Sequence, residues 1–419
     1  MTAVLDEAAD AALLEVLLTP EGRADPYPLY RLIRERAPVL HTSLPDGSIA
    51  LTRYEDCIVA LRNPHLGRGI VGPNARPARS ALPGAADPEV RAQFFRRAGE
   101  SMLFTDPPEH TRLRGLVSRA FTPKRVEALR PAVEAMVAAL LDEMAERAEV
   151  DVMDVLAFPL PVAVIGELVG VPGPDRAQFR SLVRASTAGL EPFVDNDAIL
   201  TAVDAQQQMR SYFFDLLEER RRSAHDDLLS VMLETSESDD RLTDDEIVST
   251  AILLFGAGFE TTTNLIGNGL SALMANPTQF DRLRADPDLT ASAVDELLRY
   301  DSPVQMNSRT ALEPADVAGV ALEQGQTVMV LQGAANRDPA RFDDPDRLDL
   351  GRRGNAPLSF GWGAHHCIGA ALARMEGAVV FRALADRFSS IEPTGEPVER
   401  RPGITLRGVV NLPVSLSPR

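Results

Sequence analysis

Lysine is almost missing from this chain. Lys124 is the only one among 43 Lys and Arg residues. That skew, in a chain rich in alanine, points to a GC-rich genome rather than to a function. Cysteine is as scarce: only Cys57 and Cys367 are present. Two thiols allow one disulfide at most, so a disulfide framework is excluded and a reducing cytoplasm is the expected compartment. Positive charge is outweighed: the net charge is -18, which argues against nucleic acid as a partner. No apolar run approaches the ~18 residues of a membrane helix. Residues 1–18 are acidic and Ala/Leu-rich, without the basic-then-apolar pattern of a secretory leader. Membrane attachment is therefore not expected. With 45% hydrophobic and 25% charged residues the composition is that of a globular protein. Its 419 residues would allow two or three domains, but no linker, repeat or low-complexity tract divides them.

Chemistry concentrates in residues 357–376. There Phe360-Gly361-Trp362-Gly363-Ala364-His365-His366-Cys367-Ile368-Gly369 leads into an Ala/Leu-rich helical segment. Glycines before and after the cysteine free the backbone, and the segment places a thiol at a helix N-terminus, which favours a thiolate. From the residues alone, such a thiolate is a nucleophile or a metal ligand. An inert buried cysteine beside an ordinary turn, or a metal site of His365, His366 and Cys367, are the other readings. Three adjacent ligands converge on one ion only with strain.

The stretch resembles the haem-binding loop of the cytochrome P450 family, matching every fixed position of F-G-x-G-x-H-x-C-x-G. The resemblance implies that Cys367 is the proximal ligand of a haem b (iron protoporphyrin IX). It also implies that Phe360, Gly361 and Gly369 shape the loop against the porphyrin, and that His365 meets a propionate. A thiolate ligand pushes electron density toward the iron and favours O–O cleavage.

Three more constellations fall in the family's order. His110 and Arg114, four apart after Asp106-Pro107-Pro108, project from one helix face; the resemblance makes them propionate partners, with Arg309 as another. Residues 251–269 are apolar on nearly all faces, the mark of a helix through the core, yet carry Gly256-Ala257-Gly258-Phe259-Glu260-Thr261. This resembles the family's oxygen-activation helix. On that match Ala257 lies against the haem, Thr261 back-bonds its helix, and Glu260 and Thr261 are the catalytic acid–alcohol pair that delivers protons as O2 is reduced. Glu296 and Arg299, three apart, can pair on a helix. The resemblance buries them in a structural cluster whose third member is Arg347.

Along the rest of the chain, helical periodicity is expected over Tyr27 to Arg36, Tyr54 to Arg62, 126–148, 160–170, 174–190 and 200–222. A short hairpin is expected around Pro45-Asp46-Gly47 and two short strands around Glu323-Gln324-Gly325. Residues 64–100 read as a long surface loop, and Leu190 to Asp197 as the loop that in the family lids the substrate channel. The expected fold is mainly α with small β-sheets, the cytochrome P450 fold: an N-terminal extension over 1–24 and one haem-containing domain over 25–419.

The reaction implied is insertion of one O atom from O2 into a small organic substrate. Electrons would come from NAD(P)H through a ferredoxin reductase and a ferredoxin docking near Arg112, Arg352 and Arg353. Two cysteines are too few for an iron–sulfur cluster of the chain's own. Met102, Leu103, Phe104, Leu253, Val304, Gln305, Met306, Val409 and Val410 are the expected pocket, which suits a polyketide, terpenoid, steroid or aromatic acid or ester. Tailoring of a secondary metabolite is the leading role. Catabolic hydroxylation of a small terpene or xenobiotic, haem-ligand binding without turnover, and cysteine-nucleophile hydrolysis are the alternatives.

Overall fold

A computed structural model describes residues 5–68, 86–98, 101–118, 121–235 and 242–419. Its centre is the 32-residue helix Asp244–Ala275, which is proline-free and buried along most of its length. Its start is set by a reciprocal cap: Thr243 Oγ1 accepts from the Glu246 amide and the Glu246 carboxylate accepts from the Thr243 amide. Three acids in the first turn complement the helix dipole. The helix begins seven residues before the apolar stretch at 251. Around it pack Pro159–Val169, Asn196–Arg222, Thr290–Tyr300 and Ala370–Arg387, in one continuous apolar core.

Among the described residues, ten strands form three small sheets: β1 (Val39–His41), β2 (Ile49–Leu51), β3 (Leu66–Gly67), β4 (Glu149–Asp151), β5 (Asn307–Ala311), β6 (Ala315–Val317), β7 (Val320–Leu322), β8 (Thr327–Val330), β9 (Phe388–Pro393) and β10 (Pro413–Pro418). Their orders are β1-β2-β8-β5-β3, β4-β10-β9 and β6-β7. The hairpin expected at residues 45–47 is the antiparallel β1–β2 pair. The two strands expected around residue 324 exist but do not pair with each other; β7 joins β6, and β8 lies between β2 and β5.

The expected loop over 64–100 is corrected: it contains β3 and an 11-residue helix, Pro88–Ala98. The alanine and arginine content that obscured its period suits a helix, and Phe94 is buried against Ile199 and Ala202. The rest of that stretch lies mostly outside the described residues. The helix expected over 126–148 is broken into Pro123–Ala128 and Arg130–Ala145, since Pro131 has no N–H to continue the first segment. The helix Glu7–Leu18 packs on Tyr27–Arg36, with Leu13, Val16 and Leu17 inside. No helix among the described residues is long and apolar enough to cross a membrane.

Candidate active site

The cysteine loop is held from three sides. Leu358–Phe360 forms one helical turn. Gly361 follows at φ +67° and Gly363 at φ +71°, a region that L side chains rarely enter. A Cβ on Gly363 would also lie 2.3 Å from the Leu61 carbonyl oxygen, so the loop rests on the backbone of the Tyr54–Arg62 helix. The Cys367 amide donates to Phe360 O at 2.9 Å, and Arg114 Nη2 donates to His366 O at 2.6 Å. Ala370–Arg387 starts three residues after the cysteine, as expected. The Cys367 thiol faces a cavity and is accessible through it, yet is enclosed by protein. Burial raises its pKa; the Gly369 amide, Arg114 and Arg374 oppose this without winning. The loop alone therefore does not make a thiolate. A cation bound at the sulfur would.

Behind the loop lies a buried charge cluster. Glu296 and Arg299 are 0% exposed and paired through two bonds, of 2.7 and 2.8 Å. Arg299 also donates to the carbonyls of Asn336 (2.9 Å) and Pro345 (2.7 Å). Asn336 Oδ1 accepts from the Leu358 amide and its Nδ2 reaches Ser359 Oγ, so the cluster fixes the turn that leads into the cysteine loop. The third side chain in it is Arg352, not Arg347. Arg352 Nε lies 3.2 and 3.1 Å from the two Glu296 oxygens and its side chain is 8% exposed. Arg347 is 58% exposed and pairs with Asp344. Asp344 takes a positive φ of 45°; past this turn only the Arg347 carbonyl faces inward, toward Arg299 and Arg352. The same finding removes Arg352 from the proposed ferredoxin surface. Arg353 is exposed. Arg112 is part-occupied by Glu109 at 3.0 Å and by Glu246.

A cavity of 1720 Å³ lies between the central helix and the cysteine loop. Its walls include Ala257, Glu260 and Thr261 on one side and Phe360, Gly361, Cys367 and Gly369 on the other. Met102, Leu103, Phe104, Leu253, Val304 and Met306 line it as expected. Thr261 Oγ1 donates to Ala257 O at 2.7 Å, the expected back-bond. Three expected pocket residues are corrected. Gln305 is fully buried elsewhere, its Nε2 donating to Tyr27 Oη and Ser302 O. Val409 packs on Gly267, and Val410 is fixed by a bond from its amide to Glu399 O. The segment reaches the cavity a few residues earlier, with Thr405 and Leu406.

One end of the cavity is basic. His110, Arg114, His365 and Arg68 line it, and Arg309 is buried beside them. The His110 and His365 rings are 4.1 Å apart between centroids, and neither Nε2 has a hydrogen-bond partner among the described residues. Burial, then Arg68, Arg309, His110 and Arg114, push His365 down to about 2. Burial and Arg68 lower Arg309 to about 9; burial lowers Arg68 to about 10 against the pull of Asp106. So many crowded donors, opposed by one acid, are arranged for a ligand carrying anionic groups. Arg68 escaped the sequence reading, because it stands alone after β3 with no motif around it.

Comparison with known proteins decides the family. Residues 196–416 match the family described as cytochrome P450. The chain is 40% identical to 6-deoxyerythronolide B hydroxylase of Saccharopolyspora erythraea, over 94% of this chain and 96% of that one. It is 39% identical to cytochrome P450 monooxygenase PikC of Streptomyces venezuelae, over 93% and 91%. Among solved structures, P450BioI in complex with an acyl carrier protein ligated by hexadec-9Z-enoic acid superposes with a TM-score of 0.86 at 35% identity, covering 95% of this chain and 100% of that one. This chain belongs to the cytochrome P450 family.

As a P450 the protein is a haem-iron monooxygenase, and the cavity fits that group. A sulfur waits on one wall, small residues at 256–258 stand on another, and basic groups gather at one end, two of them with an imidazole Nε2 that has no partner among the described residues. Among the described residues no three His, Cys, Asp or Glu side chains converge as a metal site of their own, so the reading of His365, His366 and Cys367 as a metal site is dropped.

One cavity acid was not anticipated. Glu376, two turns along the Ala370–Arg387 helix, is buried, and its Oε2 has no partner among the described residues. Burial pushes it up to about 8, so it is neutral at pH 7. A carboxyl with a raised folded pKa binds a proton that the unfolded chain releases between roughly pH 4.5 and 8, so this site loses stability as pH rises through that window. Glu376→Gln should therefore raise the melting temperature of the P450 at pH 9 and leave it nearly unchanged at pH 5. Equal shifts at both pH values would show that Glu376 is ionised throughout.

Proposed function

We propose that this P450 tailors a secondary metabolite of polyketide or macrolactone size, using haem b, with a ferredoxin and an NAD(P)H-dependent ferredoxin reductase as electron donors in the cytoplasm. The observation that carries the substrate class is the cavity. At 1720 Å³ it exceeds the ~300–1,000 Å³ of ordinary small-molecule sites, which leaves room for a porphyrin and a large, mainly apolar substrate. The relatives support this reading, since two of them are named 6-deoxyerythronolide B hydroxylase and polyketide biosynthesis cytochrome P450 PksS. Catabolism of a small terpene is less well served by so large a space.

Bound haem supplies O2 activation and the transfer of one oxygen atom to the substrate, the second leaving as water. The chain's own residues do the rest. Cys367 supplies the sulfur ligand. Arg114, Arg309 and Arg68 would neutralise the propionates, and His110 and His365, held uncharged by burial and the nearby arginines, would donate hydrogen bonds to them. Apolar walls from Met102 to Phe104, with Leu253, Val304 and Met306, exclude water and orient the substrate. Thr261, its hydroxyl hydrogen directed at Ala257 O, offers its oxygen lone pairs to the cavity, and Glu260 stands one residue away as the carboxylate that would take up protons and pass them on. A ligand carrier without turnover has no use for this pair.

The test is a spectral binding screen of the purified holoprotein against macrolactones, steroids, fatty acids and small terpenes, followed by turnover with ferredoxin, reductase and NADPH. Macrolactones should give the strongest shift and a monohydroxylated product. Thr261→Ala should divert most of the NADPH to hydrogen peroxide. Tight binding confined to small terpenes would overturn the substrate class.

A further inference from the structure

The connection between the helices Phe179–Ala188 and Asn196–Arg222 roofs the cavity, to which Leu190 and Pro192 contribute. Glu191, between them, is turned toward the C-terminal part of the chain. Its carboxylate accepts three consecutive amides: Ile404 at 2.8 Å, Thr405 at 2.9 Å and Leu406 at 3.1 Å. Successive N–H groups converging on one carboxylate form an anion nest. The approach depends on Gly403, where a Cβ would lie 2.2 Å from Glu191 Oε1.

The same segment reaches the central helix at its other end. The Arg401 amide donates to Gly408 O at 3.0 Å. Gly408 lies so close to the helix that a Cβ there would be 1.9 Å from Asn264 Oδ1. Asn264 is one helical turn beyond Glu260 on the same face. Across this contact the Arg401 guanidinium forms an ion pair with Glu260, whose carboxylate oxygens accept no hydrogen bond among the described residues. The segment 401–408 is thus held between two buried acids, Glu191 in the roof and Glu260 beside Thr261.

We infer that Arg401 is the positioning residue of the proton relay: it holds Glu260 ionised and aimed at the cavity, and Glu191 holds Arg401 in place. The inference rests on the reading of Glu260 as the relay acid. A buried carboxylate without a cation protonates rather than stay charged, and Arg401 is the cation paired with Glu260. Arg184 acts on Arg401 from the neighbouring helix and Glu191 opposes it; with burial leading, Arg401 falls to about 10 and so remains a cation at neutral pH. The neighbours of Glu260 along its own helix, Thr261 and Asn264, carry no charge. Because the counter-ion of the relay acid hangs from the roof, the charge on Glu260 depends on the roof being seated over the cavity.

The test compares Glu260→Gln, Arg401→Met, Arg401→Lys and Glu191→Gln holoproteins, each first shown to keep the CO-bound Soret band of the parent. Infrared spectra of the resting proteins at neutral pH need no substrate. Arg401→Met should gain a protonated-carboxyl band that is missing from the Arg401→Met/Glu260→Gln double variant, and Arg401→Lys should lack it. With 6-deoxyerythronolide B as probe substrate, product per NADPH should fall several-fold in Glu260→Gln and Arg401→Met, recover in Arg401→Lys, and fall by less in Glu191→Gln. Arg401→Met with no new band and parental coupling, while Glu260→Gln uncouples, overturns the inference alone. Parental coupling in Glu260→Gln overturns the relay reading and the inference with it. Parental coupling in Glu191→Gln removes the roof from the account.

Discussion

Replacing Cys367 by serine should abolish monooxygenation and remove the red-shifted Soret band of the reduced, CO-bound protein, while leaving the fold intact. The substitution keeps the shape and the local bonds: the residue 367 amide still donates to Phe360 O, and Gly369 N–H still has an acceptor. What is lost is a soft, ionisable sulfur. A serine hydroxyl stays protonated next to iron where a thiol is deprotonated by it, and so it lacks the electron push that favours O–O cleavage. Rates should fall to the level of free haem, with a melting temperature within a few degrees of the parent. A Cys367→Ser protein that retained the red-shifted band would place the iron ligand elsewhere in the chain.

Removing Glu296 should be the most destabilising single change away from the cavity. Glu296→Ala leaves the buried guanidinium groups of Arg299 and Arg352 without their shared carboxylate, and breaking a buried pair from one side costs about 3–5 kcal/mol. The loss should appear as a lower urea midpoint and as haem release at lower denaturant, because Arg299 and Asn336 fix the turn before the cysteine loop. Arg352→Ala should follow in the same direction. Arg347→Ala should cost less than about 1 kcal/mol, the scale of an exposed ion pair. Equal losses in the two arginine variants would contradict the assignment of Arg352 to the cluster.

The exchange of Arg347 for Arg352 shows where reading from sequence stops. The cysteine loop was legible because backbone geometry demands its residues locally: glycines at positive φ, a thiol, then a helix. The central helix was legible from its apolar faces, and its true start could have been found as well, since Thr243 and Glu246 have the spacing of a reciprocal cap. Glu296–Arg299 was legible as a pair because both lie on one helix turn. Which later arginine closes the cluster depends on a turn at Asp344 with no periodicity to betray it. Arg68, Glu191 and Arg401 were invisible for the same reason. Each acts through partners more than a hundred residues away in the chain, and neither spacing nor composition encodes such a meeting. The error at Val409 and Val410 was one of register: Thr405 and Leu406 reach the cavity in their place.

The β4-β10-β9 sheet carries a consequence for biogenesis. Its middle strand, Pro413–Pro418, lies more than 260 residues after its neighbour Glu149–Asp151, so the pair forms only once the long stretch between them has been made. Domains generally fold as units during or after synthesis. Here neither the sheet nor the cavity wall at Thr405 and Leu406 can close until that later segment is in place. Enclosure of the pigment thereby waits on this distant partner, and loss of Pro413–Pro418 leaves an open seam between Glu149–Asp151 and Phe388–Pro393.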